Sequence, residues 1–147
     1  MAALGVCLSL AALAAHPAGA PVVFVPTPSF TLAWTHSIEK VRWEEDYALN
    51  LDAAGQPRLH ATAARIRGSA AGMEPPPDAV LRGGWYHYTP SETHPALLRL
   101  TRSEFTPDYD WCMAGRCQSL STFIASDQGV TWAWACFGPK IPPTMPP

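Results

Sequence analysis

At 147 residues, 48% of them hydrophobic, the chain is long enough for one core and too short for two ordinary domains. A formal net charge of -2 leaves no basic surplus, which excludes the electrostatic footprint of a nucleic-acid binder or of a protein held on anionic lipid. No nucleic-acid partner is expected.

Residues 2–15, AALGVCLSLAALAA, form an apolar run shorter than a bilayer span and of the length of a signal-peptide h-region. The expectation is export, with residues 1–20 as signal peptide and linker and cleavage at Ala14/Ala15, after the small-x-small triplet Ala12-Leu13-Ala14. The first basic residue is Lys40, so the usual positive n-region is missing, and a buried N-terminal helix of a cytosolic protein is the competing reading. Residues 21–137 then make a single all-β domain, and residues 138–147, with five prolines in ten positions, an irregular tail.

PVVFVPTPS, residues 21–29, reads as an extended linker or edge segment, because proline removes ladder donors. FTLAWTHSI alternates, with Phe30, Leu32, Trp34, His36 and Ile38 on one face. VRWEEDYALNL places Val41, Trp43, Glu45, Tyr47, Leu49 and Leu51 on one face, and the short connection between the two runs makes them an antiparallel hairpin. DAAGQP is a turn and RLHATAARIRG a third strand. SAAGMEPPPDA cannot continue a ladder and is a loop, whereas Gly83-Gly84 is a tight turn between two β-prone runs. ALLRLTRSEF, YDWCMAGRCQSL and GVTWAWACF supply further strands, and LSTFIAS alone suggests a helical turn. Many short strands separated by turn signals predict a small antiparallel β-sandwich or a partly open β-barrel.

Removal of the leader leaves three cysteines, Cys112, Cys117 and Cys136, hence one disulfide and one odd thiol in an oxidising compartment. Cys112 and Cys117 flank the MAGR loop, and cysteines opposite each other in a hairpin have a spacing a disulfide can bridge; Cys117 with Cys136 is the other pairing. The spacing is not CxxC and no second pair completes a zinc site, so neither a metal nor another cofactor is expected.

The most charged stretch, WTHSIEKVRWEED, raises the question of a site. Period two turns both His36 and Glu45 toward the apolar face, and pairing of Ile38 with Val41 makes them diagonal neighbours. Burying either group unpaired costs on the order of a few kcal/mol. They satisfy each other, or Arg67 takes the carboxylate. The plain interpretation is a buried polar pair that fixes hairpin register; the functional one is a pocket lined by His36, Glu45 and Glu39. A Ser37–His36 nucleophilic dyad is unattractive, since adjacent strand residues point to opposite faces, and no GxSxG elbow occurs. A metal at His36 would need further ligands such as His60 or His87.

FTLAWTHSIEKVRWEEDYAL, ARIRGSAAGMEPPPDAVLRGGWYHY and FTPDYDWCMAGRCQSL, in that order, resemble the bacterial domain-of-unknown-function family 1850, over about residues 29 to 120. The family's histidine-serine-x-glutamate element is matched by His36, Ser37 and Glu39, and its glycine-rich loop ending in proline by Ser69, Gly72, Met73, Glu74 and Pro75. The resemblance implies a small periplasmic protein encoded beside tripartite ATP-independent periplasmic (TRAP) transporters of the TAXI type, and implies no activity. Three functions are then open. The first is a non-enzymatic accessory domain contacting the solute-binding protein, the membrane subunits or the solute, through the loop from Arg67 to Pro77 and the hairpin end from His36 to Glu45. The second is a binding module for a small carboxylate or amino-acid-like solute with Arg67 or another arginine as clamp. The third is an enzyme with His36 and Glu45 as general base and orienter.

Overall fold

Phe30, Leu32 and Trp34 do share one face, with Thr31, Thr35 and the buried Ala33 on the other, and the strand they form is one of eleven among the described residues of the computed structural model, which are 3–12, 21–35, 40–68 and 76–138. The strands are β1 (Ala3–Ser9), β2 (Val23–Pro26), β3 (Ser29–Thr35), β4 (Arg42–Leu51), β5 (Pro57–Arg67), β6 (Val80–Arg82), β7 (Trp85–Tyr88), β8 (Leu98–Thr101), β9 (Asp110–Met113), β10 (Arg116–Ser119) and β11 (Val130–Gly138). A 3-10 turn, Leu120–Thr122, follows β10, capped by the Ser119 side chain accepting from the Ser121 amide. Among the described residues there is no α-helix, and no helix long and apolar enough to cross a membrane.

Every pairing is antiparallel. A four-stranded sheet runs β2-β1-β11-β8 and a seven-stranded sheet runs β10-β9-β3-β4-β5-β7-β6. The sheets do not close into a barrel, so the sandwich form of the expectation is the observed one. Val6, Leu8, Val25, Leu100 and Ala133 from the smaller sheet meet Phe30, Leu32, Tyr47, Leu49, Leu59 and Trp111 from the larger. Phe30 anchors this layer, stacked between Tyr47 (centroids 5.2 Å) and Trp111 (4.1 Å).

The largest departure from the sequence reading lies at the N-terminus. Residues 3–9, expected in the leader, form β1, which pairs with β2 on one side and β11 on the other. Gly5 to Ser9 are buried without interruption. Glycine is required at Gly5, where the Val25 carbonyl and then the Phe24 ring occupy the space a Cβ would need, and at Gly138 the Phe24 ring fills the same space. Ala3–Ser9 therefore share a sheet with strands that follow residue 21, and of the expected tail only Gly138, the end of β11, is described.

Cysteine pairing changes accordingly. Cys112 bonds Cys117, directly opposite it in the β9–β10 hairpin, as one of the two expected pairings has it. Cys136 bonds Cys7 rather than Cys117, across the β1–β11 ladder, and no described cysteine is free. The odd thiol disappears because Cys7 belongs to the folded domain.

The β3–β4 register also differs, by two residues. Trp34 faces Trp43 and Leu32 faces Glu45, so the connection spans residues 36–41 instead of two residues. Two aromatic pairs fix this register: Trp34 stacks on Trp43 at 6.0 Å and Phe30 on Tyr47. A two-residue slip preserves side-chain faces, which is why Glu45 still points inward.

Candidate functional site

Glu45 enters the space between the sheets because strand periodicity gives it the same face as Tyr47 and Trp43 on β4. Next to it the β4–β5 ladder shifts register between Asp46 and Tyr47: Glu45 faces Ala64, Tyr47 faces Ala61, and Thr62 on β5 is the extra residue of a bulge. The bulge turns both Ala61 and Ala64 inward, where both are buried. The Ala61 methyl group leaves room beside the Glu45 and Tyr47 side chains, and a cleft opens there.

The segment between β7 and β8 crosses the mouth of this cleft and is pinned by the Ala61 amide donating to the Thr93 carbonyl at 2.7 Å. An outer chamber of about 360 Å³ is lined by Glu45, Tyr47, Ala61, Tyr88, Glu92 and Arg99, among others. An inner one of about 160 Å³ adds Trp34, Leu100 and Tyr109. Glu45, Tyr47, Leu98 and Arg99 line both, so the two chambers share one wall.

The Tyr47 hydroxyl donates to Glu45 Oε1 at 2.9 Å. Burial pushes the Glu45 carboxyl above the ordinary glutamate range, and the Tyr47 hydrogen bond opposes this only in part. Burial, reinforced by the Glu45 charge, raises Tyr47 far above an ordinary tyrosine, and the same two causes raise Tyr88. Tyr109 is raised by burial first, then by Asp108 and Glu45. All three phenols remain neutral at physiological pH. Among the described residues no cation lies within ion-pair distance of Glu45.

Its sequence neighbours are treated differently. Glu44 and Asp46 point to the outer face, where Arg65 Nε donates to Glu44 at 2.7 Å and its Nη1 to Asp46 at 2.9 Å. Arg42 joins Glu44 to Asp110, and the Thr31 hydroxyl donates to Asp46 at 2.7 Å. A broader depression of about 560 Å³ lies on that side, lined by Thr31, Asp46, Met113, Arg116 and the Cys112–Cys117 bridge. Its carboxylate is already neutralised, so we assign the chemistry to the smaller inner cleft.

The other expected site residues divide in two. His36, Ser37 and Glu39, and likewise Gly72, Met73 and Glu74, lie outside the described residues. Arg67 does not reach Glu45; its guanidinium lies over the Trp85 ring at 5.3 Å, on the neighbouring strand β7. Tyr47, not an arginine, takes the carboxylate. His60 stacks on His94 at 4.6 Å, and no cluster of three metal-ligating side chains occurs among the described residues.

Reasoning from single strands did not find Tyr88, Tyr109, Glu92 or Arg99. The aromatic run WYHY carried a signal for Tyr88; the other three arrive from loops and from the opposite sheet. Nor did it find Arg102, whose side chain is 1% exposed. Arg102 donates to Asp108 through Nε at 3.0 Å and Nη2 at 2.7 Å, and to the Thr131 hydroxyl at 3.0 Å. The Ser121 hydroxyl completes the cluster, donating to Asp108 at 2.5 Å. This network ties the end of β8 to β11 and to the 3-10 turn, and is fully occupied with itself.

No curated protein and no solved structure matches the chain. The model of one family, domain of unknown function DUF1850, matches residues 30–120, which run from the first inward aromatic of β3 through the Glu45 strand to the 3-10 turn. By that match over most of its length, the chain belongs to the DUF1850 family.

Proposed function

We propose that the chain is an exported, non-enzymatic binding domain serving a TAXI-type tripartite solute transporter, with the Glu45 cleft as the place where it takes a small ligand. One observation carries the binding assignment. A carboxylate in the space between two sheets, donated to by Tyr47 and facing no described cation, sits in a cleft of small-molecule size walled by aromatic side chains. Export is supported by the two disulfides, which persist in oxidising compartments. The transporter association is supported by the motif resemblance that runs through the same strands.

A second reading, direct docking on a transporter subunit, is favoured by β6. This edge strand exposes Val80 (58%) and Leu81 (56%). Co-purification of the protein from a periplasmic extract of its host, with mass spectrometry of bound proteins and small molecules, separates the two. A retained small molecule that is lost from a Glu45→Gln variant supports the binding domain. A transporter subunit retained equally by both forms, with no small molecule, moves the function to the docking surface.

A further inference from the structure

We propose that the Glu45 cleft takes a small organic cation, a primary or quaternary ammonium group, with the Glu45 carboxylate as counter-ion and the tyrosine rings as its aromatic wall. The inference rests on the binding-domain reading and specifies its ligand class.

The first argument is charge. The other half-buried carboxylates around the large sheet are each met by a guanidinium: Glu44 and Asp46 by Arg65, and Asp108 by Arg102. Glu45 is the exception, although its position between the sheets makes an uncompensated charge most costly there. The described cation that lines the cleft, Arg99, has its guanidinium over the Trp132 ring at 5.3 Å, on the adjacent strand β11. Glu92 adds a second carboxylate to the outer chamber. A carboxylate ligand would meet two like charges, whereas an ammonium group would supply the missing partner.

The second argument is the wall. Tyr47, Tyr88, Tyr109 and Trp34 line the two chambers around the Glu45 carboxylate, with Glu92 at the outer one. Trp34 and Tyr109 meet at a tilt, with centroids 5.8 Å apart. Aromatic faces carry negative quadrupole charge and attract desolvated cations, and neutral phenols also donate hydrogen bonds to anions only weakly compared with an arginine. Carboxylate plus rings is thus a cation receptor rather than an anion receptor. Ala61, beside the bulge, lines the outer chamber with no more than a methyl group and keeps the space open.

The test is an NMR titration of the full-length protein at pH 7.5 with choline, with its neutral isostere 3,3-dimethylbutan-1-ol, with n-butylammonium and with butyrate, read at the tyrosine ring resonances. The expected result is perturbation of Tyr47, Tyr88 and Tyr109 by an ammonium probe. That probe should bind at least tenfold more tightly than the neutral isostere, and at least tenfold more weakly to Glu45→Gln, whose fold is checked by its melt. Equal binding of the isostere, or an unchanged affinity in Glu45→Gln, overturns the cation assignment and leaves the cleft as a binding site. Preferential binding of butyrate overturns it in favour of an anion, again with the binding domain intact. Silence of the ring resonances toward every probe overturns it too; if the host extract also yields no bound small molecule, the binding-domain reading falls with it.

Discussion

Removal of the Cys7–Cys136 bridge tests the placement of β1 more sharply than any other change. The bridge closes a sequence separation of 129 residues, and Cys112–Cys117 one of 5. In the chain-entropy treatment of a cross-link the first contributes about 5 kcal/mol and the second about 2 kcal/mol, by restricting the unfolded chain. A further loss follows if β1 detaches, because Val6 and Leu8 are fully buried and each is worth about 1.5–3 kcal/mol. Since small domains hold only about 5–15 kcal/mol in total, Cys7→Ala with Cys136→Ala should leave a protein close to its unfolding midpoint in dilute urea. Cys112→Ala with Cys117→Ala should shift the midpoint by less than half as much. Urea unfolding followed by tryptophan fluorescence, beside intact-mass analysis under non-reducing conditions, measures both. Equal midpoint shifts for the two double variants would refute the reasoning. So would a mature chain starting at Ala15 that unfolds at the same midpoint as one retaining β1.

Four further predictions come from the polar groups and one turn. Arg102→Leu strands Asp108 beside the core and should cost about 3–5 kcal/mol in a thermal or urea melt, with Arg102→Leu/Asp108→Leu recovering part of it. The carboxyls of Glu44, Asp46 and Asp108 are pulled upward by burial, but hydrogen bonds from Arg42 and Arg65, from Arg65 and Thr31, and from Arg102 and Ser121 outweigh it and hold all three below the ordinary range. Their stabilisation is therefore present above about pH 4 and lost as pH falls through the folded values, which a series of melts between neutral and acid pH should show and Arg65→Met should flatten. Glu45 has the opposite sign: its raised folded value makes stability fall as pH rises through it, so Glu45→Gln should melt above the parent at pH 7 and lose that advantage in acid. Ala114, at φ 52 in the two-residue β9–β10 turn, occupies a left-handed position that favours glycine or asparagine, and Ala114→Gly should raise the urea midpoint by an amount equivalent to about 0.5–1 kcal/mol.

Strand identity was legible wherever one face is wet. The alternation of Phe30, Leu32 and Trp34 with Thr31 and Thr35, and the glycine pair Gly83-Gly84, both at positive φ between β6 and β7, announced their elements directly. Alternation fails for β1, because Gly5 to Ser9 are all buried and an uninterrupted apolar strand reads like the core of a signal peptide. The inward turn of Glu45 was legible for the same reason as β3, whereas its true neighbours were not. Tyr109 and Arg99 reach it from outside the β4 hairpin, and Thr62, the bulge residue that opens the cleft, looks like any other threonine in a strand. Register was set by Trp34 on Trp43, a pairing that two-residue turn chemistry alone did not anticipate.

The placement of β1 against β11 gives the domain an order of assembly. The smaller sheet joins the first described strand to the last, so its central ladder is a contact of long sequence separation and cannot be complete until residue 138 has been synthesised. Cys112 and Cys117, five residues apart, meet within one local hairpin and can be oxidised as soon as it closes. Cys7 waits as an unpaired thiol through the whole of that interval, exposed to any oxidant or stray cysteine nearby. Of the two described bridges, the one that closes later in the order of synthesis is then the one that joins β1 to β11.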